Sequence, residues 1–248
     1  MKAQLRVELL KQRSTRTGLG LFGAMLALLL LAVLLHGFGL AARNLDSSTE
    51  QLMVLGLGEL LGTLFAALLG AMSITAEVRH GTIRPTFLVT PSRGRVIGAK
   101  VWVSALIGAG FGLAAGAVAV GTGTVALRAR GIDVRLDGGD YVLLLAGGAV
   151  AAALWAAIGV GVGAVVRNQV PALVGLCAWL LFVEGLLVGD VADIADVGKF
   201  APGAAGAAIS GLEPDRLLAP ALGLVLLVLY AAAAAVGGSL ATSRRDVP

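Results

Sequence analysis

The stretch GLGLFGAMLALLLLAVLLHGFGL at residues 18–40 decides the fold. It contains no acidic residue, lysine or arginine, and it is as long as the roughly 20 apolar residues that a helix needs to cross a bilayer. Basic residues precede it, as in a secretory signal peptide, but its apolar part exceeds the roughly 7–15 residues of such a peptide. We therefore predict a retained membrane-spanning helix.

Five more segments of this kind follow. The predicted spans are residues 18–40, 52–75, 101–127, 141–166, 170–189 and 217–241. The composition agrees, because 58% of the 248 residues are hydrophobic and only 14% are charged, whereas soluble domains are about 25% charged. The sequence predicts an all-α integral membrane protein with six transmembrane helices.

The distribution of charge predicts the orientation. Six spans place both termini on one side of the membrane, together with residues 76–100 and the turn at 167–169, and most of the 19 lysines and arginines fall on that side. Loops rich in lysine and arginine face the cytoplasm. Both termini are therefore predicted to be cytoplasmic, and because the basic residues flank spans, the net charge of +4 is explained without nucleic-acid binding.

Two segments beside the spans have their own patterns. In residues 1–17 apolar and charged residues alternate, which predicts an amphipathic helix in the cytoplasmic interface with its bases toward the headgroups; the alternative is a solvated tail. Residues 190–216 are predicted to be extracellular. They open acidic and become small and apolar over a stretch too short to span, which favours a re-entrant or interfacial segment. Residues 18–248 are then one six-helix transmembrane domain.

Two predicted spans each contain one acidic residue, Glu59 and Glu184. A charged group at the centre of a bilayer costs roughly 2.5–3.5 kcal/mol on insertion scales, so such residues face the bundle interior. A functional interpretation makes them substrate contacts or a proton relay. A structural one makes them hydrogen-bonded carboxyls that link helices, and Glu184, near the outer end of its helix, could instead reach the headgroups.

Glycines recur at intervals of four in the third span, at Gly108, Gly112 and Gly116. This spacing places them on one helix face, where another backbone can approach closely. The pattern indicates packing, either within a tight bundle or between two chains, and carries no chemistry.

Motifs of catalysis and metal binding are absent from the sequence. It contains no phosphate-binding loop, no serine nucleophile elbow and no zinc-binding histidine pair, and it has one cysteine and two histidines. We therefore expect a non-catalytic chain that holds no cofactor and no metal of its own.

The loop at residues 76–100 mixes charge with apolar residues. Gly81 and Thr82 break the preceding helix, and a short helix is predicted at Ile83–Val89, because proline is tolerated in a first helical turn and Pro91 ends the helix. Its apolar side chains, rimmed by arginines, favour a contact with another protein. A loop that folds back on the membrane is the alternative.

Residues 77–100, EVRHGTIRPTFLVTPSRGRVIGAK, resemble the first cytoplasmic loop of ABC-2-type transporter permeases, above all those of actinobacteria. Weaker similarity continues through Glu184 and residues 197–205. The residues that the resemblance places at the contact with an ATPase are Glu77, Arg79, His80, Thr82, Ile83, Arg84, Pro85, Phe87, Leu88 and Pro91.

The resemblance implies a permease subunit of an ATP-driven exporter in the bacterial plasma membrane. Two such chains, identical or different, pair with each other, and each binds a separate ABC ATP-binding subunit that carries ATP and magnesium. Ile83–Val89 is then the coupling helix, and a hydrophobic drug, antibiotic or lipid is the expected substrate. The alternatives are a proton-coupled secondary transporter that uses Glu59 and Glu184, and a membrane anchor that transports nothing.

Overall fold

The structure, a computed structural model, describes residues 2–39, 45–89, 92–188, 197–213 and 216–244. Every regular element in these ranges is a helix. The α-helices are α1 (Lys2–Ser14), α2 (Arg16–Gly39), α3 (Ser48–Leu55), α4 (Leu57–Arg79), α5 (Ile83–Val89), α6 (Arg93–Ala129), α7 (Gly138–Val142), α8 (Gly148–Val166), α9 (Gln169–Ala178), α10 (Glu184–Val188), α11 (Pro202–Ile209) and α12 (Pro220–Arg244).

Within these ranges, six continuous helical stretches are long and apolar enough to cross a membrane. They are Arg16–Gly39, Ser48–Arg79, Arg93–Ala129, Gly138–Val166, Gln169–Leu187 and Pro220–Arg244. The prediction of an all-α, six-helix membrane protein is therefore confirmed. Large apolar side chains on the outside of the bundle, such as Leu35, Phe182 and Leu229, are exposed as expected for contact with lipid.

The third span is much longer than predicted. It begins at Arg93 instead of residue 101, after Ser92 in an extended conformation. Its 37 residues correspond to about 55 Å of helix, against a hydrocarbon core of about 30 Å. The helix is therefore longer than a perpendicular crossing needs, and most of the predicted loop at residues 76–100 is helical.

The second span also begins earlier than predicted, at Ser48. A capping box starts α3, because the Ser47 hydroxyl accepts a hydrogen bond from the Glu50 backbone N–H at 3.2 Å. The helical path continues through Gly56, which has right-handed helical dihedral angles, into α4.

The centre of the bundle is α4, which belongs to the most buried span and packs against both α6 and α8. Glycines allow the approach of α6 to α8: a β-carbon built on Gly108 would lie 2.8 Å from the Ala152 carbonyl oxygen, and one on Gly112 would meet Gly148. Gly116 lies against the Leu145 side chain. In this structure, the glycine stripe therefore packs inside one chain.

Hydrogen bonds between distant segments mark the two ends of the bundle. At one end, the Arg93 guanidinium donates to the Thr242 carbonyl oxygen at 2.6 Å, so the start of α6 lies beside the C-terminal end of α12. We call this end, with α1, α5 and the turn at 167–169, the basic end. At the opposite end, the Gln51 amide donates to the carbonyl oxygens of Leu45 and Asp133, both at 2.9 Å. The loops that meet at each end are the loops that the count of lysines and arginines placed together on one side of the membrane.

The apolar part of the predicted re-entrant segment forms α11 at the opposite end. This helix has eight residues, which is about 12 Å and too short to cross a bilayer. Ala205 and Ala208 are buried, and α11 packs against α12, α8 and α4. The acidic start of the segment, residues 190–196, lies outside the described residues.

A matched pair of glycines on α6 tests the close packing. Gly112→Ala should lower the free energy of unfolding by about 1–3 kcal/mol, because the added methyl group overpacks the contact with α8. Gly110→Ala, where a β-carbon would meet nothing within 4 Å, should be neutral or slightly stabilising, because alanine favours helix more than glycine does. Reversible unfolding in detergent, followed by circular dichroism, measures both. Equal effects of the two substitutions would contradict the packing.

Candidate functional site

The predicted short helix is present as α5, at Ile83–Val89. Ile83 fixes it to the bundle, since this side chain packs against a buried cluster that includes Ile74 and Ile97. At the other end of the helix the Leu88 side chain is 83% exposed. Pro85 is also exposed, in the first turn. The helix thus presents an apolar side chain away from the bundle.

The residues before α5 are held by local hydrogen bonds. The Arg79 guanidinium donates to the Gln169 side-chain oxygen at 3.3 Å, and the His80 ring Nδ1 is 2.7 Å from the Ala76 carbonyl oxygen. The Thr82 hydroxyl donates back to the last turn of α4 at 3.4 Å. Pro91 and the side chains of Arg84 and Phe87 lie outside the described residues.

A buried ion cluster lies beneath α5, centred on Lys100. The Lys100 ammonium is 2.8 Å from a Glu8 carboxylate oxygen and 2.8 Å from one of Glu77, and it donates to the Ser73 carbonyl oxygen at 2.9 Å. The side chains of Lys100 and Glu8 are almost fully buried. Three partners match the three donors of an ammonium group, so this cation is satisfied although it is removed from water.

Lys11 extends the cluster to α5. Its ammonium is 2.9 Å from Glu77 and 3.2 Å from Glu8, and it donates to the Thr86 hydroxyl at 3.3 Å. Burial lowers the pKa of Lys11, but hydrogen bonds to the two carboxylates and their charges outweigh it, so its pKa is raised above the usual value. The cluster joins α1, α4, α5 and α6.

The cluster determines how α1 lies on the bundle, and the predicted contact of its other basic residues with headgroups stays a prediction. The helix is present, but a polar face packs on the bundle: Glu8 is buried, and the Gln12 amide donates to the Ser104 hydroxyl at 3.1 Å. Val7 and Leu10 are exposed instead. Apolar side chains on the outer face can still enter the headgroup region, while Lys11 bonds to the protein rather than to lipid.

We expect Lys100→Ala to lower the free energy of unfolding by about 3–5 kcal/mol, because it leaves two buried carboxylates without their cation. Arg95→Ala is the matched control, since Arg95 is a basic residue at the same end of α6 whose side chain is exposed. Its effect should stay within about 0.5 kcal/mol. Unfolding curves in detergent measure the free energy of unfolding of both variants. If Lys100→Ala lowered it as little as Arg95→Ala does, the cluster would contribute nothing to stability.

The two intramembrane glutamates come together at the opposite end. Both line a cavity of about 290 Å³ between α3, α4, α10 and α11. Sequence reasoning singled out both residues but did not place them at one cavity, because they lie on different spans. Neither forms an ion pair with a lysine or arginine in the described part of the chain.

Glu184 caps α11. One carboxylate oxygen accepts from the Gly203 backbone N–H at 2.8 Å and from the Trp179 indole, and the other accepts from the Ala204 N–H at 3.0 Å. Ala201, at the N-cap of α11, has no side-chain acceptor, so Glu184 supplies from another helix the acceptor that the free N–H groups need. Glu184 is buried, and its carboxylate bonds to protein groups.

Glu59 is far less satisfied. Its Oε1 accepts a hydrogen bond from the Thr63 hydroxyl at 3.0 Å, and Oε2 has no hydrogen bond in the described part of the chain. Gly206 of α11 lies against Glu59 Oε1 and near the indole nitrogen of Trp155. That nitrogen is buried and has no hydrogen-bond partner among the described residues. Polar groups with spare bonding capacity therefore meet beneath α11.

A π-helical turn lies directly before Glu184, at Trp179–Val183, and a second one, at Leu143–Gly147, contacts the end of α11 through Gly147. Such turns insert one extra residue into a helix and are frequent at functional sites. No residue pattern in the two spans marks them, so sequence reasoning missed both.

Glu184→Ala should detach the start of α11, because the Gly203 and Ala204 N–H groups lose their acceptor at once. We expect faster backbone hydrogen exchange across residues 203–209, with Glu184→Gln intermediate, since its remaining carbonyl oxygen still accepts. Exchange in α12, measured by mass spectrometry in the same samples, provides an internal control. Unchanged protection of α11 in Glu184→Ala would show that packing alone holds this helix.

Comparison with models of known protein families finds no match to this chain, and comparison with curated proteins finds no significant match.

Proposed function

We propose that this chain is the permease subunit of an ATP-driven exporter of the ABC-2 type. It lies in the bacterial plasma membrane with both termini in the cytoplasm and forms half of a translocation pathway with a second permease chain. A separate ABC ATP-binding subunit, which binds ATP and magnesium, drives it. A hydrophobic drug, antibiotic or lipid is its substrate class. Two findings support the proposal: the fold has six spanning helices, and a short helix lies between the second and third of them.

The observation that carries the proposal is the exposure of Leu88 on α5 at the basic end. An apolar side chain that is 83% exposed, on a helix whose flanking residues are basic, suits docking into a cleft of another protein. The sequence around it, residues 77–100, is the part of the chain with the strongest resemblance to ABC-2 permeases.

The ion cluster suits the transmission of force from α5. A push on α5 acts on Lys11 through Thr86, and on the ends of α4 and α6 through Glu77 and Lys100. A buried ion pair holds its geometry, because separating the charges without water is costly. Movement of α5 would therefore move two spanning helices and α1 together.

A second candidate function is proton-coupled secondary transport. The observation that favours it is the cavity that Glu59 and Glu184 share, since buried carboxylates can carry protons in transporters. Uptake or efflux in vesicles that runs on a pH gradient without any ATPase would select this function over the proposed one.

Leu88→Asp should abolish recovery of an ABC ATPase with the tagged chain in mild detergent, because a carboxylate would be buried at the docking surface. Ser92→Asp is the matched control: it adds the same charge in the same loop, and aspartate is as good an N-cap as serine. That variant should retain the ATPase.

Membrane insertion of both variants is checked by fractionation. An ATPase recovered equally with wild type and Leu88→Asp would place the contact elsewhere. If the wild-type chain brings down no ATPase from its own host, the proposed function fails.

A further inference from the structure

The cavity at the opposite end has an unusual balance of charge. A third carboxylate residue, Glu213, lines it together with Glu59 and Glu184, and its described lining contains no lysine, arginine or histidine. Glu213 has a φ of +45°, a region that side chains other than glycine, asparagine and aspartate rarely adopt. Three acidic residues thus line one space, and among its described lining residues none is a lysine, arginine or histidine.

Apart from Thr49 and Thr63, the rest of the wall is apolar. Its large side chains are mainly leucines, Leu52, Leu57, Leu60, Leu180, Leu212 and Leu217. Ionised carboxylates that share an apolar space disfavour each other, because less water screens them than in bulk solvent. Glu184 is stabilised by its three N–H donors, but Glu59 has only the Thr63 hydroxyl, so the site is incomplete without a positive partner or a proton.

From this geometry we infer that the cavity binds an organic cation with an apolar body, such as an alkyl- or arylalkylammonium ion. The positive group would lie near Glu59, with Glu184 and Glu213 contributing to the negative field, and the apolar body would contact the leucines. A volume of about 290 Å³ is close to the lower limit of about 300 Å³ for small-molecule sites.

An inorganic cation fits these residues less well. Calcium takes about 6–8 oxygen ligands and magnesium requires a near-octahedral shell. Two of the three carboxylates belong to different helices, and no group of three or more potential ligand residues is close enough to hold a metal within the described residues. An apolar wall also gains nothing from a hydrated ion, whereas it stabilises a hydrocarbon body.

Binding to the purified chain alone, in detergent, tests this site. The probe is 4-phenylbutyltrimethylammonium, whose charge does not depend on pH, and the comparison is its neutral isostere with carbon in place of nitrogen. Equilibrium dialysis should show the cation bound at least about ten-fold more tightly, which is about 1.4 kcal/mol. Equal binding of the two probes would overturn the proposal.

Substitutions of the lining glutamates test whether the cation binds in this cavity. Glu59→Gln keeps the shape and the Thr63 hydrogen bond, and it should weaken cation binding by about ten-fold or more while leaving the neutral isostere unaffected. Glu213→Gln, in a turn outside the helices, should act in the same direction. Glu50→Gln is the control, because Glu50 lies on α3 at the same end but does not line the cavity, and glutamine preserves its capping box. Unchanged affinity in both Glu59→Gln and Glu213→Gln would exclude the cavity.

The ammonium group could come from a soluble molecule or from a lipid headgroup. Repeating the dialysis in nanodiscs of phosphatidylglycerol, with and without phosphatidylethanolamine, separates the sources: competition by phosphatidylethanolamine assigns the group to lipid, and its absence to a soluble ligand. The further statement that this cation is the class of substrate the exporter moves rests on the proposed function. The binding test needs no ATPase, so a failed ATPase recovery and a failed cation site are separate results.

Discussion

The ion pair between Lys100 and Glu8 is the interaction on which the basic end depends. The two residues are 92 positions apart, and their side chains are almost completely withdrawn from water. Such a pair stabilises little compared with a well-packed apolar contact, but the loss of either partner is costly because the other charge remains buried. It therefore specifies one arrangement: α1 lies against α6, and Glu77 and Lys11 complete the cluster around them. The position of α5 follows from this arrangement and from the anchoring of Ile83.

The centre of the bundle depends on a different constraint, the close approach of backbones. Gly70 on α4 lies against the Ala156 carbonyl group of α8, and Gly159 on α8 lies against that of Ala67. In lipid there is no hydrophobic force between helices, so packing of this kind and hydrogen bonds must hold them. The glycine content that would weaken a soluble helix here supports the most buried contacts of the bundle.

The length and apolarity of the spans were predictable, because a bilayer imposes both on any helix that crosses it. The helix α5 was also predictable from local breakers, Gly81 before it and proline after it. The start of α6 was not. Arg93 and Lys100 carry charge, and charge in a membrane protein indicates a loop, whereas here the helix includes both residues and buries Lys100 against the protein.

The partners of Lys100 were beyond sequence reasoning, because they depend on how distant segments pack. One signal did point to them: Glu8 is the single acidic residue among the basic residues of 1–17, and an acid on an interfacial helix of a basic segment repels anionic lipid. A carboxylate in that segment therefore needs a cationic partner within the protein. In the same way, the burial of Glu184 could have suggested a set of donors, but the free N–H groups of α11 become visible only once that helix exists.

The two ends of the bundle are thus held by opposite means. At the basic end charged side chains pair with each other, and at the opposite end a charged side chain pairs with the backbone of a short helix. Glu184 belongs to α10, in the fifth span, and its carboxylate caps α11. Because α11 also packs against α12, which is the sixth span, it connects these two spans. It also covers Glu59 through Gly206.

A shift of the fifth span against the sixth must therefore strain the cap at Glu184 or move α11, and either change alters the wall of the cavity that Glu59 lines. The π-helical turn directly before Glu184 lies between the rest of the fifth span and the capping carboxylate, so a movement of that span reaches the cap through this turn. The geometry of the cavity therefore depends on the packing of the spans around it.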